Sequence, residues 1–296
     1  MAGVLLIPAA VASWLLAGRA LSPLRAMRTT AREISESDLT GRIVPAHPDG
    51  SPLRDELDDL ATTFNDMLDR LEASFRAQRQ FVDDAGHELR TPLTIVKGHL
   101  ELLDDDPAAR VETLALVDDE LDRMGQLVAD LQTLTKSTQP AFLNFGPVDL
   151  GQLVEEVTAR ARPLADRRWA DEGGPAHEIL ADRHRLVQAL LQLVDNAVTH
   201  TDPGARIAVG ARADDDQVTL WVTDTGPGVP AELRDHLFDR FVHDSDRSGS
   251  GLGLSIVAAI ARAHGGYAAL LDPGPGGTRF GLVLPMRRPD VTPEEP

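Results

Sequence analysis

Between Leu57 and Leu103 the chain carries apolar residues at helical spacing over a stretch longer than one small globular core can use. Leu57, Leu60, Phe64, Met67 and Leu71 recur three and four apart, the repeat of a helix packed along one seam. Val82, Ala85 and Leu89 keep the spacing. Ile95, Val96, Leu100 and Leu103 carry it to Asp104-Asp105-Asp106-Pro107, which breaks the helix. A second helix follows, with Val117, Leu121, Met124, Val128 and Leu131 alternating four and three apart. Two long helices joined by a short turn make an antiparallel hairpin. One hairpin cannot bury both of its seams, so the expectation is a homodimer that closes a four-helix bundle.

The phase of that seam singles out one residue. With Val82 and Leu89 at inner positions, His87 falls at the outermost position and faces solvent or a partner. Glu88 follows it, and Thr91 lies one turn further on. An exposed imidazole beside a carboxylate is a possible nucleophile with its own general base; it is also, on most helices, a plain surface histidine. Pro92 removes a backbone donor inside the helix and should kink it. Leu89 to Leu93 adds a second four-residue step, which also disturbs the heptad there. As a whole, Phe81-Val82-Asp83-Asp84-Ala85-Gly86-His87-Glu88-Leu89-Arg90-Thr91-Pro92-Leu93-Thr94 resembles the phosphoacceptor box of sensor histidine kinases, with Gly86 where serine is usual.

Composition narrows the classes. The 296 residues leave room for about two domains and connectors. No cysteine is present, which excludes a disulfide framework and a thiolate metal site. A net charge of -18 argues against nucleic-acid binding by phosphate neutralisation. Residues 2–18 carry no charge, a length at the low end of a bilayer span, and Arg19, Arg25, Arg28 and Arg32 follow. The expectation is a transmembrane helix at 1–18 with the rest of the chain cytoplasmic, by the positive-inside rule. The rivals are a signal peptide, which lacks its basic start here, or a buried helix. Residues 19–74 read as helix, connector, helix: Pro23 near the first start, a Leu24, Met27, Ala31, Ile34 seam, turn residues from Asp38 to Pro52, then the Leu57–Leu71 seam. This segment resembles the HAMP signal-relay module; the rival is a passive coiled-coil spacer.

Four further motifs lie downstream. Leu186, Leu190, Leu193 and Ala197 form an apolar helix stripe, and Gln192, Asn196 and His200 stack along one polar flank of it. An asparagine there is either a surface residue or an oxygen ligand for a hard cation such as Mg²⁺. Val218, Leu220 and Val222 alternate along a strand that ends in Asp224-Thr225-Gly226-Pro227-Gly228, a carboxylate at a tight turn. Leu237-Phe238-Asp239-Arg240-Phe241 is followed by a polar stretch to Ser250 that should form a mobile lid. Gly249-Ser250-Gly251-Leu252-Gly253-Leu254 opens an apolar helix, and glycine-rich loops before helices can cradle phosphate. It fails as a dinucleotide fingerprint, because Leu254 or Ile256 occupies the third glycine position. It fails as a P-loop, because no Gly-Lys-Ser/Thr follows.

These motifs resemble, in order, the asparagine, first glycine, phenylalanine and second glycine boxes of the same kinase family. The resemblance covers about residues 19–287. It implies HAMP at 19–74, a dimerisation and phosphotransfer four-helix bundle at 75–138, a C-terminal α/β sandwich ATPase of the Bergerat (GHKL) type at 147–287, and a disordered tail at 288–296. It also implies autophosphorylation of His87 from ATP and Mg²⁺, with Glu88 as proton acceptor or orienting group. The phosphoryl group would pass to an aspartate of a response regulator receiver domain, and Thr91 would serve dephosphorylation of that regulator. Asn196, with Gln192 in place of a second asparagine, would hold Mg²⁺. His200, Asp224, Gly226, Gly228, Arg240, Gly249, Gly251, Leu252 and Gly253 would contact the nucleotide, with Asp224 accepting the adenine amino group. A receptor scaffold or phosphatase that binds ATP without phosphorylating itself is the alternative, motivated by Gln192, Thr199 and His243 standing where the family has other residues. A chaperone or mismatch-repair ATPase would share the nucleotide boxes but not the His87 helix.

Overall fold

The computed structural model describes residues 14, 41–42, 52–103, 106–139, 141–242, 250–271 and 277–287. The expected span at 1–18 lies outside these residues except for Trp14, as do the first HAMP seam, most of the connector, His243, Gly249 and the tail. Among the described residues no helix is long and apolar enough to cross a membrane. Contacts divide the chain into units 1–86 and 87–296, and one helix, α1 (Pro52–Glu101, 50 residues), runs through both.

In the first unit α1 buries Ala61 and Leu68, while Leu60, Met67 and Leu71 remain 48%, 53% and 40% exposed. The seam read from the sequence is therefore the uncovered stripe of a single chain, as expected for a surface that a second copy closes. Arg42 of the connector donates from Nη2 to Asp69 Oδ1 (2.6 Å) and to Glu72 Oε2 (2.7 Å), which sit three apart on α1.

In the second unit α1 passes through Pro92 without interruption and ends where the acidic run begins. Asp106 then caps α2 (Pro107–Lys136), its carboxylate accepting from Ala108 N–H, with Pro107 in the first turn where a proline costs no hydrogen bond. Along α2 the expected seam is only part of the picture. Leu121 and Val128 are exposed, whereas Leu127, Asp130, Thr133 and Leu134 are buried. The helix thus has a second face, made partly of polar residues, that packs on the domain described next.

That domain begins with β1 (Gly146–Asp149), which pairs antiparallel with β3 (Glu178–Ala181). Its main sheet has the order β2 (Arg168–Asp171), β4 (Arg206–Ala213), β5 (Gln217–Asp224), β7 (Thr278–Pro285), β6 (Tyr267–Leu271), with β2–β4 parallel and the other pairs antiparallel. Helices α3 (Leu150–Ala161), α4 (Arg183–Thr199) and α5 (Gly253–Ala263) pack against it. The expected stripe is the core: Leu186, Leu190, Leu193 and Ala197 are at most 2% exposed. So is the alternating face of β5, with Val218 and Leu220 at 0% and Val222 at 2%. A helix layer on a mixed sheet is the α/β sandwich expected of this half.

His264, at the end of α5, ties the layers together. Nδ1–H donates to Ile260 O (2.8 Å), and Nε2 accepts the Asp182 N–H (3.1 Å), so the ring is neutral and its tautomer is set by its partners. Asp182 in turn caps α4 through Arg185 N–H and accepts Asn144 N–H (2.8 Å) from the preceding linker. Burial lowers the imidazole pKa below its ordinary value near 6.5, with Arg287 adding to the effect, while the Ile260 carbonyl and Asp182 oppose it. The unfolded chain therefore binds the proton more readily. Stability is full above about pH 6.5 and falls as the pH drops from there through the lowered native value. His264→Gln should lower stability at neutral pH by about 1–3 kcal/mol and flatten the decline between pH 7 and 5, read as Tm against pH.

Candidate functional site

The polar flank of α4 opens into a cleft of about 1930 Å³. Small-molecule pockets usually hold roughly 300–1,000 Å³, so this cleft extends beyond one ligand. Its lining includes Gln192, Asn196, His200, Gly226, Gly251 and Gly253, which the sequence assigned to one site. It also includes Arg123, Gln126, Leu127 and Asp130 of α2, which the sequence did not. His87, Glu88, Thr91, Asp224, Gly228, Arg240 and Leu252 are not among the lining residues.

Asp224 sits beneath the lining. It is 4% exposed, and its Oδ1 accepts the Gly226 N–H (2.8 Å). Burial pushes its carboxyl pKa up; the Gly226 N–H, His200 and Thr278 act against that. Gly226 is required by space, since a Cβ there would stand 2.8 Å from Asp224 Oδ1 and from His200 O. Gly228 is required by conformation, at φ +82°. Together they hold a buried carboxylate at the end of β5, beneath the cleft-lining Gly226. His200 caps α4, its N–H bonding Asn196 O. The last turn of α4 is held from outside by Arg167, which donates to Val198 O (3.2 Å), Thr201 O (2.8 Å) and Thr201 Oγ1 (3.0 Å).

Leu252 is fully buried and anchors the second glycine loop. Gly251 is at φ +65°, and Phe241, opposite it, is at φ +61° and donates its N–H to Gly251 O (2.9 Å). A left-handed phenylalanine is a strained backbone of the kind that collects at ligand loops. This tie closes the base of the segment 242–250 expected to act as a lid. A Cβ on Gly251 would come within 2.8 Å of the Phe241 backbone, so Gly251→Ala should loosen the loop and weaken nucleotide affinity about tenfold by calorimetry, roughly the 1–2 kcal/mol of left-handed strain. Phe238 of the same box packs edge-on against Phe280 (6.1 Å). Arg240 lies near Arg262; its pKa is lowered by partial burial first and by Arg262 second.

Around the phosphoacceptor box, His87 is exposed, as its heptad position predicts. Val82, placed inside by the same phase, is 62% exposed in the single chain, which leaves it for a partner to cover. The contact at His87 Nδ1 is with Arg90 Nη1 (3.5 Å), one turn on; among the described residues Glu88 makes no hydrogen bond to the ring. Adjacent helix positions do not face each other, whereas i and i+3 do. Thr91 Oγ1 leans back on His87 O (3.5 Å).

A divalent cation would find oxygen donors in the cleft, but no protein-only cage. Among the described residues no group of three or more His, Asp or Glu converges on one point. Asn196 and Gln192 instead present two amides one helical turn apart. That fits Mg²⁺, which keeps waters and substrate phosphates among its ligands. Gln192 is not idle: its Nε2 already donates to Asp130 Oδ1 (3.3 Å). Asp130 is 3% exposed, and burial, with Asp195 adding to it against Gln126, pushes its carboxyl up to about 6. Asp130 carried no signal in the sequence, because a carboxylate interrupts rather than extends an apolar stripe.

Three family models match the chain: the HAMP domain over residues 15–73, the His Kinase A (phospho-acceptor) domain over 77–140, and the histidine kinase-, DNA gyrase B- and HSP90-like ATPase over 181–288. The probable sensor histidine kinase TcrY of Mycobacterium tuberculosis is 36% identical over 96% of this chain and 64% of its own length. The sensor protein CutS of Streptomyces coelicolor is 37% identical over 92% of this chain and 67% of its own length. The chain thus spans about two thirds of these relatives. Among solved structures, the histidine kinase ThkA in complex with the response regulator protein TrrA aligns with a TM-score of 0.59 at 25% identity, over 73% of this chain and 64% of that one.

Proposed function

The chain belongs to the sensor histidine kinases, with HAMP, phosphoacceptor and GHKL-type ATPase domains, and on that premise we propose that it phosphorylates His87 from ATP and passes the phosphoryl group to a receiver-domain aspartate. The observation that carries this is one cleft lined by Asn196, Gly226 and Gly251 above the buried Asp224, in a chain whose exposed histidine stands on a separate helical hairpin. We assign HAMP to 19–74, the phosphotransfer bundle to 75–138 and the ATPase to 147–287, with residues 1–18 as a membrane anchor and a homodimer covering Leu60, Met67, Leu71 and Val82.

The chemistry divides among the chain's own groups. Asp224 accepts the adenine amino group, and Gly226 and Gly228 let the base approach the backbone. Asn196, with Gln192 one turn away, holds Mg²⁺, which when bound neutralises charge on the phosphates. The amides of the turn at Gly251–Gly253 and the start of α5 face the phosphates. One imidazole nitrogen of His87 attacks the γ-phosphorus, the bond to the bridging oxygen breaks, and ADP leaves; Glu88 takes up the imidazole proton. For this Arg90 must give up its contact with Nδ1, and Glu88, which makes no hydrogen bond to the ring among the described residues, must turn toward it. His87 then delivers the group to the regulator aspartate, and Thr91, one turn on, orients the water that later removes it.

ThkA was solved with a response regulator, which supports a receiver domain as partner here. Mixing the phosphorylated full chain with a receiver domain should move label from protein to partner within minutes. Thr91→Ala should leave that transfer within about twofold of wild type, while slowing loss of phosphate from the receiver at least tenfold, a typical general acid–base contribution being about 10²–10⁴. Unchanged dephosphorylation in Thr91→Ala would remove that residue from the scheme.

A further inference from the structure

Gln192 touches three elements at once. Its Nε2 donates to Asp130 Oδ1 on α2 (3.3 Å), and Asp130 is also held there by Gln126 Nε2 (3.0 Å). Its Oε1 lies against Gly253, the first residue of α5, where an added Cβ would stand only 2.8 Å away. One turn back along α4, Gln188 Nε2 donates to Thr133 Oγ1 (3.2 Å), so two amides of α4 dock on two polar side chains of α2. A buried carboxylate accepts but does not donate, which settles the direction of the Gln192 amide: its NH₂ end faces the hairpin, and its oxygen end faces the glycine turn and the cleft.

We propose that Asp130 is a positioning residue for nucleotide binding: by holding the Gln192 amide it aims Oε1 into the cleft, so that affinity for the metal–nucleotide depends on α2 being docked against α4. This rests on the reading of the cleft as an ATP–Mg²⁺ site. Gln is one methylene longer than Asn and has one more torsion to order, so an external acceptor has more to contribute to it than to a shorter amide. Because coupling is reciprocal, nucleotide binding strengthens docking of α2 as much as docking strengthens binding. A single side chain then links the phosphoacceptor hairpin to the phosphate-facing turn. Gly253 belongs to the same device, since any side chain there would displace Oε1.

The test uses the full chain and a non-hydrolysable ATP analogue, titrated with Mg²⁺ and with EDTA. Asp130→Ala should weaken binding about tenfold in Mg²⁺, the scale of one hydrogen bond to a charged group, and leave binding in EDTA unchanged. In a Gln192→Ala background, Asp130→Ala should change nothing further. Asp130→Asn, which keeps the volume and an acceptor oxygen, should restore affinity to within about threefold, and it serves as the folded reference if alanine loosens the hairpin. Hydrogen exchange should show nucleotide protecting the 127–134 backbone in wild type and in Asp130→Asn, but not in Asp130→Ala. Equal weakening with and without metal, equal weakening in the Gln192→Ala background, or no weakening at all would overturn the proposal. A wild-type chain that binds no nucleotide would overturn the reading of the cleft as well, and that result is visible before any variant is made.

Discussion

Asp224→Asn is expected to lower ATP affinity by about thirty- to hundredfold, roughly 2–3 kcal/mol, while leaving the domain folded. Asp224 serves two neighbours. One oxygen accepts the Gly226 N–H and holds the turn; Thr278 also donates to the carboxylate. Asparagine keeps an oxygen for that turn, so Tm should shift by only a few degrees. On the proposed reading, what it loses is the acceptor for the adenine amino group, replaced by an NH₂ that would meet that group donor to donor. An unpaired donor pair in a buried site costs more than the hydrogen bond it replaces. The same change should favour a base with a carbonyl at that position, so the preference for ATP over inosine triphosphate should narrow or reverse. Competition calorimetry with the two nucleotides reads both effects. Undiminished ATP affinity would mean that the base does not sit over β5.

Asn196→Ala should abolish the metal-dependent part of nucleotide affinity and reduce labelling of the protein at least about a hundredfold, the scale seen when a positioned transition-state stabiliser is removed. Its side chain lies on the cleft flank of α4, beside the buried Leu193–Ala197 stripe and outside it, so alanine removes a ligand oxygen without opening the core. Helix propensity favours alanine, and the domain should be no less stable. Titration with Mg²⁺ and with EDTA separates this from damage to the fold: the variant and the wild type should bind alike in EDTA. A variant that binds equally weakly under both conditions would point to misfolding and away from a metal role.

The sequence was most informative where one physical constraint dominates. Period-3.6 and period-2 apolar patterns located α4 and β5, because each of these elements buries one face against the same core. Glycines at Gly226 and Gly251 were legible because space and a left-handed backbone leave little else possible there. Legibility ended where an element has two faces. On α2 the four-three seam of Val117, Leu121, Met124, Val128 and Leu131 was visible, but the docking face of Leu127, Asp130, Thr133 and Leu134 was not, since two of its members are polar. Leu60, Met67, Leu71 and Val82 were placed inside from periodicity alone and stand exposed in one chain; a pattern states that a face is to be covered, not by which molecule. Glu88 was paired with His87 because they are neighbours in sequence, whereas the helix brings Arg90 to the ring instead. Arg167 and Asp182, which hold the two ends of α4, carried no motif at all: capping needs only a donor or an acceptor within reach, and many sequences supply one.

The most direct test is to incubate the full chain with γ-labelled ATP and Mg²⁺ and to map the label. The account predicts phosphate that is acid-labile and stable to alkali, located on His87, and absent from His87→Gln even though that variant binds nucleotide with wild-type affinity. Label on a serine or threonine, label that survives in His87→Gln, or no label from a chain that binds ATP through Asn196 would contradict it.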